Sequence, residues 1–284
     1  MRLGFGLGLQ YSKLSGGGSG NIDSFIIEVK TDNAGTSNDN QFQFTSAEGD
    51  YDVVAKQNGT QVATYNELSG QETITLPSSG IYVLEVNAKE VSPFTGMRFN
   101  NAGDKLKITK VLQWGVFNDS RTRLFLGCAN LTQIGNDNDW LNSITNGELL
   151  FEKCDLLSLP SSLNLNSLVD ARGMFRDNTR LTSLPNVMSL NNLRDGSLMF
   201  FNNQLTSLPD VMILNNLDNA SNMFTGNIIN TERYSQLLID MEAKNSNTNV
   251  DFNAGSSKYN AEGETARNLL IANQNWSFLD GGLA

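Results

Sequence analysis

The sequence contains no histidine. That absence excludes Ser-His-Asp and Cys-His triads and every His-ligated metal centre. Cysteine is almost as scarce: Cys128 and Cys154 are the only two, 26 residues apart. Charged residues make up 18% of the chain and the net charge is −10, a balance that argues against binding nucleic-acid phosphates or an anionic membrane surface. No stretch approaches the roughly 18 consecutive apolar residues that span a bilayer, so no membrane insertion is expected. Asparagine, by contrast, is plentiful at about an eighth of the residues, and it favours turns because it tolerates left-handed backbone. With 284 residues and 39% hydrophobic content, the chain is long enough for two domains with sizeable cores.

A unit of about 24–25 residues recurs through the second half. Leu156-Leu-Ser-Leu-Pro160, Leu181-Thr-Ser-Leu-Pro185 and Leu205-Thr-Ser-Leu-Pro209 are plain copies, preceded by a degenerate Leu131-Thr-Gln-Ile-Gly135. Each unit closes on an aromatic: Phe151, Phe175, Phe200 and Phe224. A fixed period in the twenties is the mark of a leucine-rich-repeat solenoid, whose stacked units turn such positions into continuous ladders. The four phenylalanines are therefore expected to form a structural ladder. Ser158, Thr182, Ser183, Thr206 and Ser207 sit beside the buried leucines at matched positions. They read either as a candidate binding face or as an ordinary strand face made compatible with water. The two cysteines read either as a disulfide or metal pair, or as two thiols filling the slot that Asn178 and Asn203 occupy in later units.

Four segments follow from composition and pattern. Residues 1–22 comprise an apolar-glycine alternation, with Leu3, Phe5, Leu7 and Leu9 at period two, and a flexible Gly/Ser linker, Ser15 to Gly20. The alternation is either a strand that docks onto another subunit or a disordered tail. Its glycines interrupt what would otherwise resemble a signal peptide, so it is read as uncleaved. Residues 23–117 show about seven short strand-like runs with frequent turn signals, which points to a β-sandwich, and Asn58-Gly59 predicts a hairpin. Residues 118–229 are the repeat region. Residues 230–284 carry two helical patterns, one capped by Asn230, and two short strand-like runs, and are assigned as a terminal cap. The fold class expected is thus a multi-domain chain: a β-sandwich, a short leucine-rich-repeat solenoid and an α/β C-terminal cap.

No catalytic constellation emerges. Acidic-amide clusters such as Asp32-Asn33, Asn38-Asp-Asn40 and Asn136-Asp-Asn-Asp139 offer oxygen ligands of the kind Ca²⁺ takes, but none has EF-hand spacing. Solvated turns are the expectation, with no metal and no cofactor. Trp114, Trp140 and Trp276 are expected to seal ends of the core.

The repeats resemble the BspA-type leucine-rich family, matched by Leu181-Thr-Ser-Leu-Pro-Asn-Val-Met188 and Gly173-Met-Phe-Arg-Asp-Asn178. Lys30 to Asn40 and Gln113-Trp-Gly115 look like the PKD/Ig-like module often found before such repeats. The tail, Phe252 to Tyr259 with Asp280-Gly-Gly282, is similar to the family's usual ending. The resemblance covers about nine-tenths of the chain. It departs from the PKD pattern at Tyr51 to Gly59, where the W-x-F/W-G-D-G motif is missing. It implies a non-catalytic surface protein of Bacteroidota-type bacteria or of their phages, implicated in adhesion. The opening residues resemble the start of phage virion fibre and decoration proteins.

The function expected is accordingly that of a phage virion structural protein, a head or tail fibre or decoration subunit. Leu3, Phe5, Leu7 and Leu9 would attach it to other virion proteins, and the repeat face would meet a host surface protein or glycan. Homo-oligomerisation is compatible with such a role. The alternative is a bacterial cell-surface adhesin. Localisation is expected at the virion surface, or at the bacterial cell surface under the alternative.

Overall fold

The computed structural model describes residues 23–137 and 139–284. Its first part is built on a five-stranded sheet in the order β4-β3-β6-β1-β7. The strands are β1 (Phe25–Lys30), β3 (Asp50–Gln57), β4 (Thr60–Ser69), β6 (Ile81–Ala88) and β7 (Ile108–Gln113), all paired antiparallel. Alternation decides which face is buried: Tyr51, Val53 and Ala55 of β3 and Tyr82, Leu84 and Val86 of β6 point into the core while their neighbours do not. Asn58 and Gly59, with φ of 52° and 78°, make the tight β3–β4 turn, the backbone that matches strand twist in a two-residue hairpin. A two-stranded ribbon, β2 (Gln41–Gln43) with β5 (Thr73–Thr75), adds the buried Phe42 and Ile74 to that core.

From Phe117 onward the chain winds as a stack of turn-rich coils. In each coil an Asx residue folds the chain back. Asn146, Asp170, Asp195 and Asn219 accept, through Oδ1, the backbone N–H two residues on, at 2.9, 2.9, 2.9 and 3.0 Å, and they align in parallel bridges from coil to coil. Each then passes through two left-handed positions, Leu149, Gly173, Leu198 and Asn222 at φ 55–60° and Lys153, Asp177, Asn202 and Gly226 at φ 55–86°. Between these positions sits the aromatic, whose N–H donates to the next coil: Phe151 to Met174 O at 2.9 Å, and Phe175 to Met199 O and Phe200 to Met223 O at 3.0 Å.

The rings of Phe125, Phe151, Phe175, Phe200 and Phe224 stack at 5.5–5.8 Å with interplanar angles of 5–12°. Trp114, Phe117 and Trp140 extend the column into the sheet's core, and Phe252 and Phe278 extend it beyond Phe224. Backbone bonds also join the two parts, since β7 donates from Val111 N to Gln133 O at 3.0 Å. One buried apolar cluster therefore runs from Phe25 to Trp276.

The chain ends on two helices and a short parallel pair. Asn230 caps α1 (Thr231–Lys244) by accepting from Arg233 N at 2.9 Å, and α1 buries Tyr234, Leu237, Leu238 and Met241. Asn260 caps α2 (Ala261–Gln274) in the same way through Gly263 N. β10 (Asp251–Asn253) and β11 (Ser277–Leu279) pair in parallel. No helix among the described residues is long and apolar enough to cross a membrane.

This arrangement corrects the fold class expected from the repeat period. The molecule consists of small sheets, chiefly antiparallel, with two helices, and the described residues form neither two comparable packed sheets nor a closed leucine-rich-repeat solenoid. Within the repeats, strand pairing is confined to three residues of β8 (Val187–Ser189) with three of β9 (Val211–Ile213). The reason is local. Each coil is interrupted by an Asx turn and two left-handed residues, and three of the segments also by a proline, none of which extends a ladder. In the unit before β8, Ser161-Ser162 replaces the Asn-Val and Asp-Val pairs that open β8 and β9, and no strand forms there.

Candidate binding face

Leu156, Leu181 and Leu205 are buried at the start of each Leu-x-Ser-Leu-Pro segment, and main-chain bonds lay the segments side by side. Leu157 N donates to Thr132 O at 3.2 Å, Gln204 N to Leu181 O at 3.0 Å and Asn230 N to Thr206 O at 2.9 Å. With the leucines pinned inward, the residues that follow are turned out one coil apart. Ser158, Thr182, Ser183 and Thr206 are exposed and Ser207 is half-buried. All five predicted face residues thus lie on one side of the stack.

Their hydroxyls are not equivalent. Ser207 Oγ accepts from Asn230 Nδ2 at 3.1 Å and donates to Leu208 O at 3.3 Å. Ser158, Thr182 and Ser183 make no side-chain hydrogen bond among the described residues, which leaves their donors and acceptors to water or a ligand. Ser158, Ser183, Leu184, Pro185, Asn186 and Val187 line a groove of about 280 Å³ between two coils. Apolar side chains are exposed on the same repeats: Leu157 is 44%, Val187 56% and Val211 43% accessible. At the far end α1 borders the face, with Arg233 paired to Asp210.

The asparagine-rich edge behaves differently. Asn191 Nδ2 donates to Asn166 Oδ1 at 3.2 Å, Asn192 Nδ2 to Asn166 O at 2.7 Å and Asn216 Nδ2 to Asn191 O at 2.5 Å. Those amides tie coil to coil. Ion pairs do likewise at the periphery: Arg180 with Asp155 at 2.8 Å, Arg194 with Asp218 at 2.9 Å, and Glu148 between Arg123 at 2.7 Å and Arg172 at 2.9 Å. The hydrogen bond from Arg123 holds the Glu148 carboxyl below its ordinary value. Solvent screening keeps the stability contribution of such surface pairs small.

The slot shared by cysteine and asparagine is internal. Asn178 Nδ2 donates to Phe151 O at 2.9 Å and Phe175 O at 3.0 Å, while its Oδ1 accepts Leu156 N at 3.1 Å. Asn227 repeats the pattern on Phe200 O, Phe224 O and Leu205 N. Cys154 Sγ takes the corresponding place, 3.2 Å from Phe125 O. Both cysteines are free and buried, and burial pushes both thiols far up, which suppresses the reactive thiolate. The structure thus holds two free thiols, with Cys154 in the asparagine slot.

Parts of the acidic-amide loops make internal contacts. Asp137 accepts from Trp114 N and Gly115 N at 3.0 and 3.1 Å. The loop of residues 31–40 closes over a buried pair, Asp104 and Lys107, that the alternating pattern Leu106-Lys-Ile108 gave no sign of. Burial pulls the Lys107 ammonium below its ordinary value, and the Asp104 carboxylate opposes that pull. The three tryptophans are buried, with Trp114 and Trp140 5.0 Å apart at the sheet–stack junction and Trp276 donating Nε1 to Asn247 O at 2.8 Å in the terminal part. Leu3, Phe5, Leu7 and Leu9, the predicted attachment residues, lie outside the described residues. Comparison with known protein families, curated proteins and solved structures finds no match to this chain.

Proposed function

We propose that this chain is a non-catalytic structural and binding protein of a phage particle, which displays the face from Ser158 to α1 to a host surface protein or glycan. The observation that carries the binding reading is the set of hydroxyls on Ser158, Thr182 and Ser183. They are exposed, held in register by the coils, free of internal partners and set beside exposed apolar side chains. Periodic polar groups with adjacent apolar surface suit recognition of an extended surface. The continuous aromatic column supports a rigid presentation of that face. Placement on a virion rests on the likeness of the first nine residues to virion fibre and decoration proteins.

Two measurements test the two halves. Proteomics of density-purified particles, beside the envelope fraction of uninfected cells, is expected to recover the chain at stoichiometric copy number in the particles. Recovery in the envelope alone would favour the adhesin. For the face, Ser183→Arg with Val187→Glu is expected to abolish binding of the purified protein to host cells at unchanged Tm. Undiminished binding would move the site elsewhere.

A further inference from the structure

Lys107 is completely buried, yet its ammonium lies within hydrogen-bond distance of four oxygens. These are Ser37 O at 3.0 Å, Ser37 Oγ at 2.8 Å, Asn38 O at 2.7 Å and Gln41 O at 3.0 Å. All belong to the β1–β2 connection or the first residue of β2. Asp104 is equally buried, with its Oδ2 3.9 Å from Lys107 Nζ. It meets the cage only at Ser37 Oγ, which accepts from Lys107 and donates to Asp104. Its carboxylate accepts Thr36 N at 2.8 Å, Ser37 N at 3.0 Å and Gln43 N at 2.7 Å, with Ser37 Oγ also donating to it. The loop thus splits its main-chain polarity, with carbonyls facing the cation, amides facing the anion and Ser37 Oγ bridging the two.

The donor set suits an ammonium: three main-chain carbonyls and a hydroxyl are uncharged, and the one carboxylate nearby, Asp104, stands 3.9 Å off and is engaged by loop amides. Oxygens at 2.7–3.0 Å fit N⁺–H···O bonds, whereas Ca²⁺ takes oxygens at about 2.3–2.6 Å and Mg²⁺ at about 2.0–2.1 Å. The loop has little freedom to contract. A Cβ on Gly35 would lie 2.4 Å from Asp104 Oδ1 and 2.8 Å from Lys107 Cε, so the backbone already rests on the pair. An unpaired buried charge would be costly, and the four oxygens supply what solvent no longer can.

We propose that this cage is a cation site selective for a primary ammonium, filled in cis by Lys107, so that the loop is held without a metal ion. Lys107→Ala removes three methylenes and the amine while leaving the oxygens, and converts the cage into a receptor for free n-propylammonium. The variant is expected to lose thermal stability and to regain it saturably with n-propylammonium. Tetramethylammonium, which has no N–H, and CaCl₂ are expected to leave it unrestored. Wild-type Tm is expected to be indifferent to Ca²⁺ and EDTA.

Recovery of Lys107→Ala by Ca²⁺ would overturn the selectivity. Recovery by n-propylammonium no greater than by tetramethylammonium would overturn the cage. A second measurement covers a variant that does not fold. In the wild-type protein with ¹⁵N-labelled lysine, one NH₃⁺ resonance protected from solvent exchange is expected at neutral pH, and it should change selectively when Gly35→Ala lifts the loop. A wild-type spectrum with no protected ammonium would sink the proposal by itself.

Discussion

In the sheet region the deepest polar groups occur once. Asp104 and Lys107 join a connection before β2 to a turn before β7, across more than sixty residues of chain, and no other ion pair among the described residues has both side chains fully buried. In the coil stack the same need, satisfying backbone groups that the core covers, is met by one device used three times: an amide or thiol behind a phenylalanine, at Cys154, Asn178 and Asn227. The first solution is unique and long-range, the second local and periodic. They fail differently when altered, and they differ in how readily the sequence discloses them.

The largest expected effect comes from the column that the two regions share. Phe200 is buried between Phe175 at 5.7 Å and Phe224 at 5.5 Å. Phe200→Ala leaves a cavity that the flanking rings cannot collapse into while their own main-chain bonds hold, and is expected to cost about 3–5 kcal/mol. Because the apolar cluster is continuous from sheet to stack, urea unfolding of this variant should show one transition, with tryptophan fluorescence, dominated by the junction, and far-ultraviolet circular dichroism moving together. Separate transitions for the two probes would show that the stack unfolds independently of the sheet. An unchanged midpoint would remove the ladder from the account of stability.

An intermediate effect tests the periodic device itself. Asn178→Ala strands Phe151 O, Phe175 O and Leu156 N in the core and is expected to cost about 3 kcal/mol, at the upper end for unsatisfied buried groups. Asn203 occupies the next slot but is wired differently: its Oδ1 accepts Asn178 N at 2.9 Å and its Nδ2 has no partner among the described residues. Asn203→Ala should therefore cost less, about 1–2 kcal/mol. Equal losses in chemical denaturation would mean that the slots are interchangeable.

The legibility of the chain follows this same division. The repeats, the phenylalanine column, the asparagine slot, the Asn58-Gly59 hairpin and both terminal helices, with the Asn230 cap of the first, depend on residues near one another or at a fixed period, and pattern reading reaches such features. Lys107 offers no comparable signal, because its partners Ser37, Asn38 and Gln41 are distant in sequence and contribute chiefly main-chain oxygens. The leucine-rich-repeat solenoid was suggested by the period, but a period specifies that units stack and not which backbone they stack with. Positive φ at Leu149, Leu198 and Lys153, residues with no preference for it, bends the units away from extended strands. The alignment of the candidate face was legible for the same periodic reason. Which hydroxyls stay free was not, since that depends on where α1 brings Asn230 against Ser207.

The smallest expected effect lies at one of those strained positions. Lys153 has φ 56° and occupies the second left-handed position of its coil, where Gly127 and Gly226 stand in others, at φ 78° and 86°. At those two sites a Cβ would run into Asn101 Oδ1 at 2.3 Å and Asn202 Cα at 2.9 Å, so glycine is needed for space as well as for conformation. Lys153 is the case without crowding. Its side chain is 56% exposed and its one ion pair, to Glu152 at 3.9 Å, is long. A left-handed lysine carries a steric penalty that glycine lacks, offset in part by glycine's greater freedom in the unfolded chain. Lys153→Gly is therefore expected to stabilise the protein by about 0.5 kcal/mol, a rise in Tm of roughly 1–2 °C for a chain of this size. Differential scanning calorimetry resolves that shift. A fall in Tm would mean that the backbone preference of the coil, and not its side chains, already fits lysine, and that the periodic half of the molecule is less strained than its dihedral angles imply.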